Sequence, residues 1–284
     1  MTKEHTIKTV LITGASSGFG KLTAKQFQAR GWNVIATMRT PDKEAELTTL
    51  ENVLVTRLDV TEPASIHAAV EEGVARFGSI DALVNNAAYG GHALFEQASD
   101  ESIRAMYDTN VFGVMNVSRA VLPIMRRQES GCIVNVTSMA GMLGAPTISI
   151  YASTKWAVEG LTEAMALEYK PLGIRVLAVA PGAYPTTRFN ASTDDALDAG
   201  DPDVAAHARV LYDHIQAVAG QMAMQSGQKA DPQEVADLIY KCATSEMPVH
   251  NPVGADARML AEMIGPPRQE FVKQLQNMAL PPQE

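Results

Sequence analysis

Short runs of consecutive apolar residues alternate along the chain with longer stretches in which apolar residues recur every three or four positions. The apolar runs predict six strands, at 8–13, 33–38, 53–58, 80–84, 133–137 and 174–179. Because the runs are continuous rather than alternating, both faces of the predicted sheet are buried, as in parallel sheets.

The stretches of helical period lie between the predicted strands, at 21–30, 62–77, 100–128, 154–169, 202–224 and 231–242. Gly31 is expected to end the first helix, and Pro232 to take the first position of the last helix. The helix at 100–128 is expected to bend or break near Pro123. Strand–helix–strand alternation at this spacing predicts an α/β fold: a Rossmann-type, doubly wound parallel sheet of about seven strands with helices on both faces. Ligands bind such sheets beyond the carboxyl ends of the strands.

The 284 residues predict one dinucleotide-binding oxidoreductase domain, 1–284, with a substrate-loop and helix insertion at 187–228 and a frayed tail at 278–284. A formal net charge of −9 disfavours a nucleic-acid partner, which needs a basic surface. Two cysteines make no disulfide framework, the first residues lack an apolar signal core, and no run reaches about 18 apolar residues. We therefore expect a cytoplasmic protein without a membrane partner.

A glycine-rich turn, Thr13-Gly14-Ala15-Ser16-Ser17-Gly18-Phe19-Gly20, follows the first predicted strand directly. Glycine lets backbone amides approach phosphate oxygens, and the helix that starts near Gly18 points its positive end at them. The turn therefore predicts a pyrophosphate site, against the alternative of a plain tight turn. After the fourth strand, Asn85–Ala88 offers small residues that allow a flat ring to pass close to the backbone, or forms an ordinary polar turn.

The second predicted strand ends with Arg39, where NAD-binding sites usually carry Asp or Glu for the ribose 2′-hydroxyl. A guanidinium can bind a 2′-phosphate in bidentate fashion, so we favour NADP(H) and keep NAD(H) as an alternative. Arg39 could also be a solvated loop residue. Asp59, at the end of the third strand, could accept from an adenine amino group or could be a turn aspartate.

Tyr151 and Lys155 stand four residues apart, on one face of a helix, with Ser138 upstream. An ammonium about 4 Å from a phenol is worth on the order of 4 kcal/mol at an effective dielectric of 20, enough to lower the phenol pKa by roughly three. Tyr151 is then a proton donor for neutral pH, and Ser138 donates to the developing alkoxide. The alternative interpretation of the pair is an ordinary surface contact on a helix.

Other chemistries fit less well. Ser138 lacks the Gly-x-Ser-x-Gly elbow of a hydrolase, and the six histidines show no spacing typical of metal ligands. We expect no metal. Met139, Met142, Tyr184 and Phe189 suggest an apolar substrate, although methionines at such spacing are more often core residues.

Taken together, the chain resembles the classical short-chain dehydrogenase/reductase family over roughly 7–260, and within it the NADP-preferring retinol- and hydroxysteroid-dehydrogenase-like branch. The resemblance implies Asn110, Ser138, Tyr151 and Lys155 as catalytic residues, with Asn110 supporting a water-linked proton relay. It implies cofactor contacts from Gly14, Ser16, Ser17, Gly18, Phe19, Gly20, Arg39, Asp59, Val60, Asn86, Ala87, Tyr151, Lys155, Pro181, Gly182 and Thr186. Ala88 departs from the family's usual glycine. Pro248 and Pro252 bracket the place where the family's seventh strand belongs, so we expect that strand to be short.

The resemblance implies a hydride transfer between nicotinamide and a ketone, aldehyde or secondary alcohol, and a homodimer or homotetramer built on long helices. The alternative is a catalytically silent, NADP-binding sensor or regulatory protein of the same fold; the complete Asn-Ser-Tyr-Lys set disfavours it. Enoyl reduction and cofactor-free halide elimination fit less well, since the first usually separates its Tyr and Lys by more residues and the second replaces the Lys with Arg.

Overall fold

The computed structural model describes residues 7–184, 193–226 and 230–264. Its strands form a seven-stranded sheet in the order β3-β2-β1-β4-β5-β6-β7, in which each neighbouring pair is parallel. The strands are β1 Thr9–Ile12, β2 Asn33–Met38, β3 Val53–Arg57, β4 Ala82–Asn85, β5 Gly131–Val136, β6 Ile174–Pro181 and β7 His250–Val253. The doubly wound parallel sheet predicted from the apolar runs is confirmed.

Helices cover both faces of this sheet. They are α1 Gly18–Ala29, α2 Pro63–Phe77, α3 Asp100–Tyr107, α4 Gly113–Gln128, α5 Ser149–Tyr169, α6 Thr193–Leu197, α7 Pro202–Ser226, α8 Gln233–Thr244 and α9 Ala255–Ile264. Every helix in the described part of the chain is too short or too polar to cross a membrane.

The core is split by the sheet into two layers, because successive strand residues point to opposite faces. On β1, Val10 and Ile12 join a cluster with Phe27 of α1 and Ile239 of α8. Leu11 points to the opposite face of the sheet, into a cluster with residues of α2, α4 and α5. All three β1 residues are fully buried, which explains why their sequence shows no polar alternation.

The long helix predicted over 100–128 is interrupted, but not at Pro123. Helix α3 passes into a π-helical segment, Asp108–Phe112, before α4 begins. Pro123 lies inside α4, which continues around it despite the missing N–H. The prediction of a break near Pro123 is therefore wrong: the irregularity lies at the segment that carries Asn110, and π-bulges of this kind frequently mark functional sites.

Several boundaries shift by a few residues. Helix α5 starts at Ser149 rather than 154, so Tyr151 lies in its first turn. Pro232 caps α8 instead of occupying its first helical position. Strand β7 is short as expected, with Pro252 inside it; as the last strand of the sheet it can tolerate a residue without an N–H. The predicted tail, 278–284, and part of the predicted insertion lie outside the described residues.

Candidate active site

The functional side chains converge at the carboxyl edge of the sheet. From β1 the chain builds outward through β2 to β3, then returns to place β4 on the other side of β1. The helices that follow β1 and β4 lie on opposite faces of the sheet, and open α/β sheets form their ligand-binding crevice at such a reversal of strand order. The glycine-rich turn follows β1, and Ser138 follows β5, which lies on the other side of β4 from β1.

The glycine-rich turn is packed so tightly that side chains are excluded at two positions. Gly14 has φ +68°, and a Cβ there would lie 2.9 Å from the Cα of Ala87. A Cβ on Gly20 would overlap the carbonyl oxygen of Gly14. Gly18, also at positive φ, faces open space. The glycines thus bring β1, α1 and the loop after β4 together and leave a cradle at Gly18.

The cradle has the electrostatics of an anion site. Ser17 is the extended N-cap of α1, and its side chain makes no capping hydrogen bond. The first N–H groups of a helix have no partner within the helix, and its dipole is positive at this end. No acidic residue lies in the first turn of α1. The arrangement fits the pyrophosphate of a dinucleotide.

Asn86 and Ala87, expected to contact the cofactor, hold the turn in place. Asn86 Nδ2 donates to the carbonyl oxygens of Thr13 (2.9 Å) and Gly14 (3.2 Å). The backbone amides of Asn86 and Ala87 both donate to Thr13 Oγ1, each at 3.0 Å. The side chain of Asn86 is therefore engaged with the turn, and the role of Thr13 was not apparent from the sequence.

Phe19 and Tyr184 join the two sides of the crevice. Phe19, next to the cradle on α1, packs edge-to-face against Tyr184, which follows β6, with 5.1 Å between ring centroids. The Tyr184 hydroxyl donates to Glu234 Oε1 on α8 (2.8 Å). The aromatic contact therefore ties the start of α1 to the segment beyond β6.

Arg39 and Asp59 lie at the ends of β2 and β3. Arg39 is exposed beside the crevice. Burial tends to raise the pKa of Asp59, but hydrogen bonds from Thr61 and the charges of Arg39 and Arg57 lower it overall. The Asp59 carboxylate accepts from Thr61 N (3.0 Å) and Oγ1 (2.7 Å), as a turn aspartate does. Val60, the next residue, packs in the core against Gly113.

Ser138, Tyr151 and Lys155 form a compact group. Ser138 follows β5 and caps a 3₁₀ turn, Met139–Gly141, with Oγ 3.1 Å from the Ala140 amide. Its hydroxyl is hydrogen-bonded to that of Tyr151. Lys155 is 3% exposed, and its Nζ donates to the carbonyl oxygen of Val136 at 3.0 Å. Because Lys155 is buried and held in this way, its pairing with Tyr151 is not an ordinary surface contact on a helix.

The predicted lowering of the Tyr151 pKa by Lys155 is not seen. Lys155 Nζ lies 5.7 Å from the centroid of the Tyr151 ring. Burial raises the pKa of Tyr151 to about 12, against the opposing hydrogen bond from Ser138. Burial also lowers the pKa of Lys155 to about 8, and the charge of Glu159 opposes it. The sequence estimate failed because it counted the charge and ignored the burial of both groups.

Asn110, in the π-helical segment, is buried and points at the same region. Its Oδ1 accepts from Tyr89 N (3.1 Å), and its Nδ2 donates to Tyr89 O (2.8 Å) and Thr154 Oγ1 (3.2 Å). Thr154 precedes Lys155, so Asn110 connects the loop after β4 with the catalytic helix. Its role in a water-linked relay remains a prediction.

The segment after β6 is fixed by α9. Gly182 N donates to Val253 O (2.8 Å), and Ala183 N donates to Asp256 Oδ2 (2.7 Å). A Cβ on Gly182 would overlap the Asp256 carboxylate. Pro181 and Gly182 thus lie at the carboxyl edge as predicted, whereas Thr186 and Phe189 lie outside the described residues.

Residues 8–197 match the family model described as short chain dehydrogenase. The chain belongs to the short-chain dehydrogenase family. The match contains the glycine-rich turn, Asn110, Ser138, Tyr151 and Lys155.

Two solved structures and one curated relative illustrate the similarity to known short-chain dehydrogenases. The chain is 40% identical over 248 residues to the uncharacterized oxidoreductase YusZ of Bacillus subtilis, covering 84% of this chain and 85% of the relative. A short-chain dehydrogenase from Streptomyces avermitilis superposes with a TM-score of 0.78 at 31% identity, covering 97% and 98% of the two chains. ElxO, solved with NADP bound, gives 0.72 at 28% identity, covering 89% and 99%. The protein is an oxidoreductase of this family.

Proposed function

We propose that this short-chain dehydrogenase is an NADP(H)-dependent enzyme that interconverts a ketone or aldehyde and the corresponding alcohol. The observation that carries the proposal is the hydrogen-bonded pair of Ser138 and Tyr151 hydroxyls beside the buried Lys155, at the same sheet edge as the glycine cradle. Two hydroxyls and a cation suit an oxygen that gains negative charge during reduction.

We assign a dinucleotide to the crevice. The cradle at Ser17 and Gly18 would hold the pyrophosphate, Arg39 a ribose 2′-phosphate, and Pro181 and Gly182 the nicotinamide end. When bound, the nicotinamide supplies or accepts the hydride. The NADP bound to the related ElxO supports this assignment.

The protein's own groups handle the oxygen and the proton. Ser138 and Tyr151 donate hydrogen bonds to the substrate oxygen, which fixes the carbonyl and stabilises the developing alkoxide. With its pKa raised to about 12, Tyr151 is protonated at neutral pH and can give its proton to that oxygen. Lys155, cationic below about pH 8, then stabilises the phenolate that remains.

The substrate is proposed to be apolar. The loop after β4 presents Tyr89 and Phe95, which are 44% and 68% exposed, and the Ala93 amide ties this loop to Thr147 O just before α5. Met139 and Met142, in and directly after the turn that follows Ser138, are partly exposed. Exposed apolar residues on both sides of the catalytic group suit a hydrophobic ligand.

A carbonyl and alcohol panel tests the function directly. Purified protein is mixed with NADPH or NADP⁺ and with ketones, aldehydes and secondary alcohols of graded hydrophobicity, and absorbance of the reduced cofactor is followed. We expect turnover, with kcat/KM rising with chain length. Tight NADPH binding without turnover over the whole panel would instead identify a nucleotide sensor.

Arg39→Asp is expected to reverse the cofactor preference. Losing a charged hydrogen bond to the 2′-phosphate and adding repulsion should raise the Kd for NADPH by about 10- to 100-fold, with little change for NADH. Kd values for both cofactors are measured by fluorescence titration. Arg104→Asp, at an exposed arginine of α3, is the charge-matched control. An unchanged NADPH/NADH ratio in Arg39→Asp would assign the preference to other residues.

We also propose a cytoplasmic homodimer or homotetramer that associates through α4 and α5. Phe112, directly before α4, and Trp156 on α5 are 50% and 41% exposed, which is unusual for large aromatic side chains. Both cysteines are free and buried, which suits a reducing compartment. Light scattering after size exclusion gives the assembly mass.

A further inference from the structure

We infer that Glu159 is a positioning residue for Lys155: its carboxylate, held by His250, keeps the lysine in its cationic form. The consequence for catalysis rests on the proposed function, but the effect on Lys155 does not. Neither Glu159 nor His250 was among the residues selected from the sequence.

Glu159 lies one helical turn after Lys155 on α5, and therefore on the same face. The two side chains are 2% and 3% exposed. The Glu159 side chain packs against Gly141, where a Cβ would lie 2.9 Å from Glu159 Cγ and 3.1 Å from the backbone carbonyl oxygen of Lys155. A carboxylate buried this deeply is costly unless charged or hydrogen-bonding partners compensate it.

His250, at the start of β7, supplies one such partner. Its Nδ1 lies 2.6 Å from Glu159 Oε2, and its Nε2 lies 2.8 Å from Glu163 Oε1. An imidazole protonated at Nδ1 donates to Glu159 Oε2, which compensates part of the cost of burying this carboxylate. The other carboxylate oxygen, Glu159 Oε1, is buried and makes no hydrogen bond within the described residues. His250 thus holds one oxygen of the Glu159 carboxylate, and the negative charge of the carboxylate acts on Lys155 through space.

Lys155 is the cation that this charge acts on. Burial lowers the pKa of Lys155 to about 8, and the negative charge of Glu159 works against that lowering. The sign is therefore defined: without Glu159 the pKa of Lys155 falls further, and the cationic fraction at pH 7 falls with it. A neutral Lys155 could not stabilise a Tyr151 phenolate.

Other titratable groups face this pair from α5 and β7. Within the described residues, α5 contributes Tyr151 toward Lys155 and Glu163 toward His250, and β7 contributes His250. Strand β5 offers the Val136 carbonyl, and the turn Met139–Gly141 packs through Gly141. The π-helical segment also packs on α5. Burial and the charge of Asp108 in this segment raise the pKa of Tyr89, in the loop after β4. Glu159 is the group whose charge opposes the burial of Lys155.

The test measures the pKa of Lys155 without turnover. Protein containing ¹³C-labelled lysine is titrated from pH 5 to 10 by NMR, and the Lys155 Cε signal is assigned by its loss in Lys155→Met. We expect Glu159→Gln to lower the pKa of Lys155 by about 1. Glu163→Gln, which contacts the same histidine two turns away from Lys155, should leave it unchanged and is the matched control.

The inference is overturned if Glu159→Gln and the unmodified protein titrate alike, or if Glu163→Gln shifts the Lys155 signal as much as Glu159→Gln does. Glu159→Asp keeps the carboxylate but moves it farther from Lys155, so it should lower the Lys155 pKa by about half as much as Glu159→Gln. This variant carries the test if Glu159→Gln does not fold. In kinetics, the alkaline loss of kcat/KM should move to lower pH in Glu159→Gln at similar thermal stability. Absence of turnover in the unmodified protein would reject the proposed function and leave the NMR result intact.

Discussion

Tyr151→Phe is expected to lower kcat by about 10³-fold, within the range of 10² to 10⁴ for the loss of a general acid. Phenylalanine keeps the ring that packs near Lys155 and removes only the hydroxyl that is bonded to Ser138. The substrate oxygen then loses its proton donor as well as one hydrogen bond. Because the glycine cradle is untouched, the Kd for NADPH should stay within about twofold of the unmodified value.

The control for this prediction is Tyr169→Phe, the same chemical change at the last residue of α5. Steady-state rates on the best substrate of the panel and NADPH titrations are compared for both variants. Tyr169→Phe should retain full activity. Comparable kcat in Tyr151→Phe and the unmodified enzyme would reject the assignment of Tyr151 as proton donor.

Gly20→Ala is expected to weaken NADPH binding by about 10-fold or more. The added methyl would overlap the Gly14 carbonyl oxygen and would lie 2.5 Å from Asn86 Nδ2. The Gly14 carbonyl belongs to the backbone of the turn, so the turn itself must move, at a cost of about 1–3 kcal/mol. Moving it also breaks the hydrogen bond from Asn86 to Gly14 that shapes the cradle.

Gly220→Ala provides the matched comparison, since a Cβ at this position within α7 meets nothing within 4 Å. Here the same methyl should stabilise the fold by about 0.5–1 kcal/mol through helix propensity, with no effect on NADPH. Thermal unfolding and fluorescence titration distinguish the outcomes. Unaltered NADPH affinity in Gly20→Ala would show that the turn does not form the cofactor site.

The sheet could be predicted from the sequence because burial on both faces leaves an unmistakable signal. The runs that became β1, β2 and β5 are apolar except for the buried Thr9, Asn33, Thr37 and Asn135, and the glycine-rich turn marks where α1 must begin. The π-helical segment could not be predicted in this way. Asp108–Phe112 keeps helical spacing, so Pro123 was the only visible reason for a break.

The catalytic residues were recognisable because their types and spacing are distinctive, whereas their electrostatics depend on burial that spacing does not reveal. Lys155 was expected to act on Tyr151 from about 4 Å in a polar setting; instead both groups are shifted chiefly by desolvation. Glu159 does have a recognisable feature in the sequence, since it is a carboxylate four residues after the catalytic lysine. Its partner His250 lies about ninety residues further along, joined only by the fold.

The central claim is that Tyr151 and Ser138 together grip the oxygen of a substrate held beside the glycine crevice. A crystal structure of the enzyme with NADP⁺ and the best alcohol of the panel tests it most directly. The account predicts that the alcohol oxygen lies about 2.6–3.2 Å from both Tyr151 Oη and Ser138 Oγ. An alcohol bound in the crevice with its oxygen on other groups and no contact to Tyr151 would contradict it.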